Sequence, residues 1–435
     1  MSSQLPTVQP SRQPSVSALA RVKRVPLAAR ARLRSYLQRR YGGTRGPLAN
    51  VAFANMSMPA DAVVHFPDDI EKLYQLEQWL PVLEELDRRR PVLLLMRNFR
   101  AFRVVSGRTH LRTLYVRRFA DLMDLYDGND YKVALYVNNG YTNFQSLASS
   151  RMFHVHIGHG ESDKICMVSH QNRAYDRVLV AGGAAVTRHQ LALLEVDLDK
   201  LLPIGRPQLD LDFPPLLPPS TRRTLLYAPT WEGENSANNY TSVDCYGVRI
   251  VEELLRVPDA RVVYRPHPRV GTSSLPDMAQ AHQRICQLID SAATADTAAD
   301  HRVELTGPVL ALVRECDAMV ADVSSVGLDF LYLRTDRPLF LTDRRNDRAQ
   351  LAMDAPVCEG ADVVDASTVS ELAETITKRL EHDELRETRL RLRQMYFGDV
   401  AVGESTQRFM NAVEELVEAR DQLIRRHETH AMTAG

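Results

Sequence analysis

The sequence lacks the features that mark several large classes of protein. Its five cysteines are scattered without a CxxC pair or a histidine–cysteine cluster, which argues against a disulfide framework and a zinc site. Apolar runs such as Pro91–Met96 have the length of a strand, whereas a membrane span needs roughly 18 to 20 apolar residues. The N-terminal arginines have no continuous apolar region and cleavage site behind them, so no secretory signal is expected. These absences favour a reducing compartment.

Several catalytic signatures are also missing. The chain contains no GxGxxG after a strand, no GxxxxGK[ST], no HExxH and no GxSxG, which removes the usual support for nicotinamide, P-loop, zincin and α/β-hydrolase chemistry. No cluster of carboxylates shows metal-ligand spacing, so a protein-held metal is not predicted. The net charge of −1 gives no overall field for nucleic acid, and any charged partner must meet a local patch.

The 435 residues are too many for one ordinary core, and 44% apolar with 25% charged residues is typical of a folded protein with two domains. Short apolar runs alternate with longer helical windows, which predicts βα units and parallel sheets in an α/β fold. The predicted organisation is a basic segment over 1–47, an α/β domain over 48–212, a proline-rich linker over 213–222, a second α/β domain over 223–396 and a helical segment over 397–435.

The predicted strands are Val51–Ala54, Val92–Met96, Val133–Val137, Phe153–Ile157, Arg177–Val180, Thr224–Tyr227, Val262–Tyr264, Ala318–Ala321 and Leu339–Leu341. In parallel sheets, ligands collect at the carboxyl ends of strands, so a cleft between the two domains is the expected site.

The first 47 residues carry ten basic and no acidic side chains. An imperfect apolar stripe from Ser15 onward, interrupted by Pro26, is of the kind that lies on an anionic membrane surface. A solvated tail is the alternative interpretation.

Two motifs with candidate functional residues lie at the ends of predicted strands. In His156–Lys164, Gly158 and Gly160 flank His159, a residue able to accept a proton at neutral pH. His154 and His156 lie within the strand, where structural packing is the expected role. In Tyr227–Glu232, the strand breaks before Thr230, which either faces a ligand or shapes the hinge.

Two further motifs lie in the second half. In Tyr264–Pro268, two prolines fix the backbone around His267, and Arg265 offers a fork suited to phosphate oxygens. In Met319–Phe330, Asp322 ends a strand, and Ser324 and Ser325 stand where the next helix begins. Free amides at that position would make a phosphate cradle, while plain helix capping is the alternative.

Taken together, these motifs resemble those of the CDP-glycerol glycerophosphotransferase family, the teichoic-acid primases and polymerases. Gly205–Asp210 and Gly403–Arg408 extend the resemblance, which runs from about Val51 to Arg408. Three departures stand out. Glu161-Ser162-Asp163 replaces the family's Thr-Pro-Leu and is expected to face the acceptor, Arg265 replaces a lysine, and Val323 replaces a tyrosine.

The resemblance implies a GT-B fold of two Rossmann-like domains, with the acceptor in the first and the donor nucleotide in the second. His159 would be the base for an acceptor hydroxyl that attacks the glycerol-bearing phosphorus of CDP-glycerol or a related CDP-polyol, with release of CMP. His267 is the second catalytic candidate. The donor would be held by Arg265, Ser324, Ser325, Asp322 and Thr230, and the further site candidates are Gly160, Lys164 and Arg408.

The resemblance also implies partners and a location. The acceptor would be lipid-linked or teichoic-acid-like, and the enzyme would be cytoplasmic and peripheral at the inner face of the membrane, held there by its basic N-terminal segment. Any Mg²⁺ would arrive with the nucleotide. No nucleic acid is expected.

Two other functions stay open at this stage. One is a GT-B glycosyltransferase that uses a nucleotide sugar in capsule or glycolipid synthesis, since a fold alone does not fix a function. The other is a non-catalytic protein that binds the membrane surface with a transferase-like shell. The sequence leaves open glycerol against ribitol, the acceptor, primase against polymerase behaviour, and the oligomeric state.

Overall fold

The computed structural model describes Phe53 and residues 56–434. The basic segment over 1–47 and nearly all of the predicted strand Val51–Ala54 lie outside the described residues. The described residues fold as one compact unit.

The first sheet is wholly parallel and has the strand order β3-β2-β1-β4-β5-β6-β7. Its strands are β1 Ala62–Phe66, β2 Val92–Met96, β3 Arg112–Tyr115, β4 Val133–Tyr136, β5 Phe153–His156, β6 Arg177–Val180 and β7 Leu201–Pro203. Its helices are α1 Tyr74–Glu77, α2 Leu80–Arg89, α3 Phe99–Val105, α4 Phe119–Asp127, α5 Asn143–Ser146 and α6 Gly183–Ala192.

Both faces of this sheet are covered by apolar side chains. Successive residues of β1 alternate between two clusters: Val64 packs with α2 and α3, and Val63 packs with α4. Because each face is buried, the strands read as continuous apolar runs, as parallel strands between helices do.

The second sheet is also parallel, in the order β10-β9-β8-β11-β12-β13. Its strands are β8 Arg223–Ala228, β9 Ala260–Tyr264, β10 Arg302–Val303, β11 Ala318–Ala321, β12 Leu339–Thr342 and β13 Asp362–Val364. The accompanying helices are α7 Val248–Leu254, α8 Pro276–Ala295, α9 Val309–Glu315, α10 Ser325–Leu333, α11 Arg348–Asp354, α12 Leu372–Glu381, α13 Arg386–Phe397 and α14 Glu404–Ala434. We call the parts around the two sheets the first and the second lobe.

Between the sheets, residues 211–222 contain neither helix nor strand, as the prolines of the linker lead one to expect. The domain boundaries drawn from the sequence remain a prediction. All the predicted strands that lie within the described residues are present, and the α/β fold is confirmed.

Five strands were not predicted: β1, β3, β7, β10 and β13. The first strand predicted from the sequence is Val51–Ala54, and β1 lies shortly after it. The strands β3, β7, β10 and β13 each contain at most one fully buried residue. Their burial pattern therefore leaves little trace in the sequence.

The last helix, α14, returns to the first lobe. Its buried residues Phe409, Met410, Val413 and Val417 pack with Val64 and Leu135 of the first sheet. Burying each such side chain contributes about 1.5 to 3 kcal/mol, so this return crossing ties the end of the chain firmly to the first lobe.

Candidate active site

His159 stands directly after β5, at the carboxyl edge of the first sheet. Gly158 turns the chain with a φ of +61°, a conformation that side chains with a Cβ rarely adopt, and its carbonyl accepts a hydrogen bond of 2.5 Å from the Trp79 indole. His159 Nδ1 lies 3.0 Å from the Val137 carbonyl, an acceptor, so the proton of the neutral ring is on Nδ1. Nε2 then presents a lone pair with no partner among the described residues.

The pKa of His159 is lowered to about 4, chiefly by burial; the hydrogen bond to Val137 opposes this shift and the nearby Arg206 adds to it. The ring is therefore neutral at pH 7. A neutral imidazole with a free Nε2 is the form that accepts a proton.

His267 follows β9 in the second lobe, between two prolines. Its amide donates to the Pro229 carbonyl at 3.0 Å, and its Nδ1 accepts from the Arg269 amide at 3.2 Å. The proton of the neutral ring is therefore on Nε2, which makes that atom a donor. Burial lowers the pKa of His267 to about 3, and the cationic Lys164 and Arg269 add to this effect.

The two histidines contact the same phenol ring. The centroid of Tyr74, in α1, is 6.1 Å from that of His159 and 5.3 Å from that of His267, with edge-to-face geometry in both pairs. The structure thus brings together the two catalytic candidates, one from each lobe, and gives them opposite hydrogen-bonding character at Nε2.

Two further contacts join the lobes around these rings. A Cβ added to Gly160 would lie 3.0 Å from the Cβ of Ser325, so the absence of a side chain at Gly160 lets the two lobes approach. Lys164 Nζ donates to Thr230 Oγ1 at 2.8 Å. Four of the sequence-predicted residues therefore meet across the cleft.

Ser324 and Ser325 begin α10 immediately after β11. Ser324 has an extended backbone and makes no capping hydrogen bond with its side chain. Its Oγ is buried and has no partner among the described residues. A buried hydroxyl at a helix N-terminus, next to free amides, suits an anionic oxygen of a ligand better than it suits plain capping.

Asp322 holds the backbone near Thr230 and Ser242 through hydrogen bonds to its carboxylate. Its carboxylate accepts from the Thr230 amide at 2.7 Å, the Ser242 amide at 3.2 Å and the Thr342 hydroxyl at 2.6 Å, and burial raises its pKa. It was predicted to hold the donor; the geometry instead has it fix the loop that carries Thr230.

Arg265 was predicted to bind the donor diphosphate, but its guanidinium contacts in the structure are with the backbone. Its guanidinium donates to three backbone carbonyls, those of Glu304 at 3.1 Å, Thr306 at 2.8 Å and Gly307 at 2.6 Å. Most of its fork is used to hold the loop after β10. The nearby Arg269 stacks over Trp231 at 3.6 Å from the ring centroid and was not predicted.

Arg408 is not brought to the cleft by any contact within the described residues. It lies on α14 and pairs with Glu404 at 3.4 Å, with 42% of its side chain exposed. The two motifs that extended the family resemblance meet each other instead. Asp210 accepts from the Gly403 and Thr406 amides at 2.8 and 2.6 Å, which caps the start of α14.

The two carboxylates of the acidic segment after Gly160 are turned towards α6. Glu161 and Asp163 are buried and both bind Arg188 of α6, each at 2.6 Å. The physical reason is that two carboxylates turned away from solvent require a cation, and α6 supplies it.

Some residues at the site left no motif in the sequence. Tyr74 follows a strand that was not predicted, and Arg188 lies far along the chain from the carboxylates that it binds. Arg206 Nη1 lies 3.1 Å from Asp329, whose pKa is raised by burial to about 6. Within residues 56–434, no three His, Cys, Asp or Glu side chains gather as a metal site.

The carboxyl half of the chain matches a known family. Residues 216–415 match the family described as CDP-Glycerol:Poly(glycerophosphate) glycerophosphotransferase. This confirms the predicted resemblance and the prediction of a glycerophosphotransferase enzyme. No curated protein sequence matches the chain.

Solved structures match nearly the whole chain. A histidine-to-asparagine variant of the wall teichoic acid polymerase TagF aligns with a TM-score of 0.55 at 14% identity, over 91% of this chain and 98% of that one. A TagF variant soaked with CDPG gives 0.53 at 14% identity, over 91% and 97%. The glycotransferase of kitacinnamycin gives 0.51 at 14% identity, over 83% and 100%. These likenesses confirm the GT-B-like architecture of two Rossmann-like domains.

Proposed function

We propose that this chain, a glycerophosphotransferase by the match of its second lobe, moves glycerol phosphate or a related polyol phosphate from a CDP-linked donor to a hydroxyl of a lipid-linked or teichoic-acid-like acceptor. The observation that supports this most directly is the pair of histidines around Tyr74, one an acceptor and the other a donor at Nε2.

The reaction is an in-line displacement at phosphorus. The acceptor oxygen attacks the phosphorus that bears glycerol while its proton passes to His159 Nε2. The bond from that phosphorus to the oxygen of CMP breaks, and CMP leaves with the electron pair. A phosphodiester between acceptor and glycerol results.

Negative charge grows on the leaving phosphate during this step. His267 Nε2–H, the Ser324 hydroxyl, the first amides of α10 and the Lys164 ammonium are the donors available to it, from both lobes. Donors fixed before the reaction stabilise such charge without reorganisation, which is why buried and unpartnered groups suit this role.

A donor screen tests the proposal. The protein is incubated with CDP-glycerol, CDP-ribitol and UDP-glucose together with a membrane extract as acceptor, and released nucleotide is measured. CMP from a CDP-polyol is the expected product. Release of UDP from UDP-glucose alone would favour the nucleotide-sugar glycosyltransferase, and no release from any donor would favour a non-catalytic binding protein.

The membrane partner stays part of this proposal. Among the described helices, none combines the length and apolar character that crossing a bilayer demands. Attachment at the inner membrane face would then depend on the ten basic residues before Pro47, each worth about 1 kcal/mol near anionic lipid. Removing residues 1–47 should abolish sedimentation with anionic liposomes and leave CMP release from a soluble donor unchanged; unaltered sedimentation would contradict it.

A further inference from the structure

The segment that joins His159 to Lys164 contains two acidic residues next to a lysine. Glu161 is 6% exposed and Asp163 is 7% exposed. One guanidinium serves both: Arg188 Nη1 lies 2.6 Å from Glu161 Oε1, and Arg188 Nη2 lies 2.6 Å from Asp163 Oδ1. Both carboxylates are therefore directed towards α6.

The remaining carboxylate oxygens are occupied too. The Tyr396 hydroxyl, from α13, donates to Asp163 Oδ2 at 2.5 Å and itself accepts from the Val357 amide at 3.1 Å. Glu161 Oε2 accepts from the Ala181 amide at 3.4 Å. Helix α13 and the backbone at Val357 thus complete the network around Asp163.

Lys164 is in the opposite situation. It is partly buried, its Nζ donates to the Thr230 hydroxyl, and within residues 56–434 no carboxylate oxygen lies within 4.0 Å of it. Burial lowers its pKa, while the more distant carboxylates of Asp322 and Glu234 raise it. An ammonium removed from water without a direct carboxylate contact is costly, and an anionic ligand would offset that cost. The adjacent Asp163 would be the obvious partner if Arg188 did not hold it.

We propose that Arg188 is a positioning residue that sequesters Glu161 and Asp163, so that the charge of Lys164 stays available to the diphosphate of the donor. This inference rests on the proposed function for its ligand. It also explains how this chain accommodates acidic residues where its family resemblance has Thr-Pro-Leu: Arg188 balances the charge of both carboxylates, and Tyr396 of the second lobe donates a further hydrogen bond to Asp163.

The test compares two variants by calorimetric titration with CDP. In R188M the two carboxylates lose their cation and compete for Lys164, so the Kd for CDP should rise about tenfold or more, which corresponds to about 1.4 kcal/mol. In E161Q/D163N/R188M no carboxylate remains to compete, and the Kd should return to within about threefold of wild type.

These variants distinguish two roles of Arg188: neutralising Glu161 and Asp163, or only holding the segment 161–164 in place. Support alone predicts that the triple variant binds CDP as weakly as R188M, and that result would overturn the proposal. If R188M does not fold because two buried carboxylates are unpaired, the neutral triple variant decides alone, and a Kd tenfold above wild type would be the contrary result.

Arg420 provides a matched control. Like Arg188 it is mostly buried, with 7% of its side chain exposed, and it pairs with Asp130 away from the cleft. R420M should lower the urea midpoint of unfolding and leave the Kd for CDP unchanged. Inorganic pyrophosphate serves as a second probe. Wild-type protein that binds pyrophosphate but not CDP would refute the CDP donor while the Arg188 comparison still holds, and binding of neither would refute both.

Discussion

Each side of the cleft carries a neutral histidine, and the two histidines are opposite tautomers. In the first lobe, His159 donates a hydrogen bond from Nδ1–H to a carbonyl, which leaves Nε2 as an acceptor. In the second lobe, His267 Nδ1 accepts a hydrogen bond from a backbone amide, which leaves Nε2–H as a donor. Backbone hydrogen bonds to the far ring nitrogen therefore leave an acceptor at Nε2 on one side of the cleft and a donor at Nε2 on the other, as the proposed base and the proposed charge-stabilising donor require.

The lobes also differ in how they hold their functional groups. The second lobe uses local backbone features, namely prolines around His267 and the buried Asp322 beneath Thr230. The first lobe uses distant side chains, because Arg188 and Tyr396 fix the segment between His159 and Lys164. The family match covers 216–415, and so includes the second lobe's motifs but not His159. Residues that fix a functional group from nearby in the chain leave a recognisable sequence pattern, and residues that do so from distant segments do not.

Removing the two imidazoles separately gives the largest expected effects. H159A should lower kcat for CMP release by about 10² to 10⁴ because the general base is lost, with little change in the Kd for CDP. H267A should lower kcat by about 10² to 10³ and also weaken CDP binding, since its donor contacts the nucleotide side. Initial rates and calorimetry measure both quantities.

Unfolding in urea provides the control for this pair, since neither change should move the midpoint far. Equal losses of CDP affinity in both variants would break the comparison between a base and a nucleotide donor. Near-normal CMP release in H159A would remove His159 from the mechanism.

K164M sharpens the contrast between ligand binding and stability. Loss of the ammonium should raise the KM for the CDP-linked donor about tenfold, because one charge-assisted contact to the diphosphate disappears. The same change should raise the urea midpoint, since a buried charge without a carboxylate partner is replaced by an apolar chain. A lower midpoint with unchanged KM would make Lys164 a structural residue.

R265M tests a second-lobe residue whose contacts differ from those of the predicted diphosphate ligand. Its three carbonyl contacts predict a loss of about 1.5 to 3 kcal/mol in the free energy of unfolding, measured in urea. Donor KM should change less than in K164M. The reverse result, a large rise in KM at normal stability, would restore Arg265 as a diphosphate ligand.

Sequence patterns predicted the elements that are apolar throughout and the motifs at their carboxyl ends. Thr230, His267 and Ser324 follow such strands, so their placement at one edge of a sheet could be inferred. Tyr74 could not, because β1 lies beside a second apolar run that matches a strand equally well. The ion pairs of Arg188 with Glu161 and Asp163 could not be inferred either, since ion pairs between distant segments depend on how helices pack against the sheets. The role of Arg408 stays a prediction: within the described residues it pairs with Glu404, and its motif is capped by Asp210.

The pH dependence is the smallest effect and bears on His159 most directly. Burial lowers its pKa to about 4, so the neutral base persists as the pH falls, and kcat/KM should stay level down to about pH 5 before it declines. Donor binding brings negative charge that favours the imidazolium, so the acid limb of kcat should lie at higher pH than that of kcat/KM. The imidazole of the unfolded chain takes up a proton near pH 6.5, whereas that of the folded chain does so only near pH 4. The free energy of unfolding should therefore decrease as the pH is lowered from 6.5 to about 4. H159Q should lack that component of the slope. An acid limb of kcat/KM near 6.5 would mean that the imidazole titrates as a solvated group, and the shielded base on the first-lobe side of the cleft would have to be abandoned.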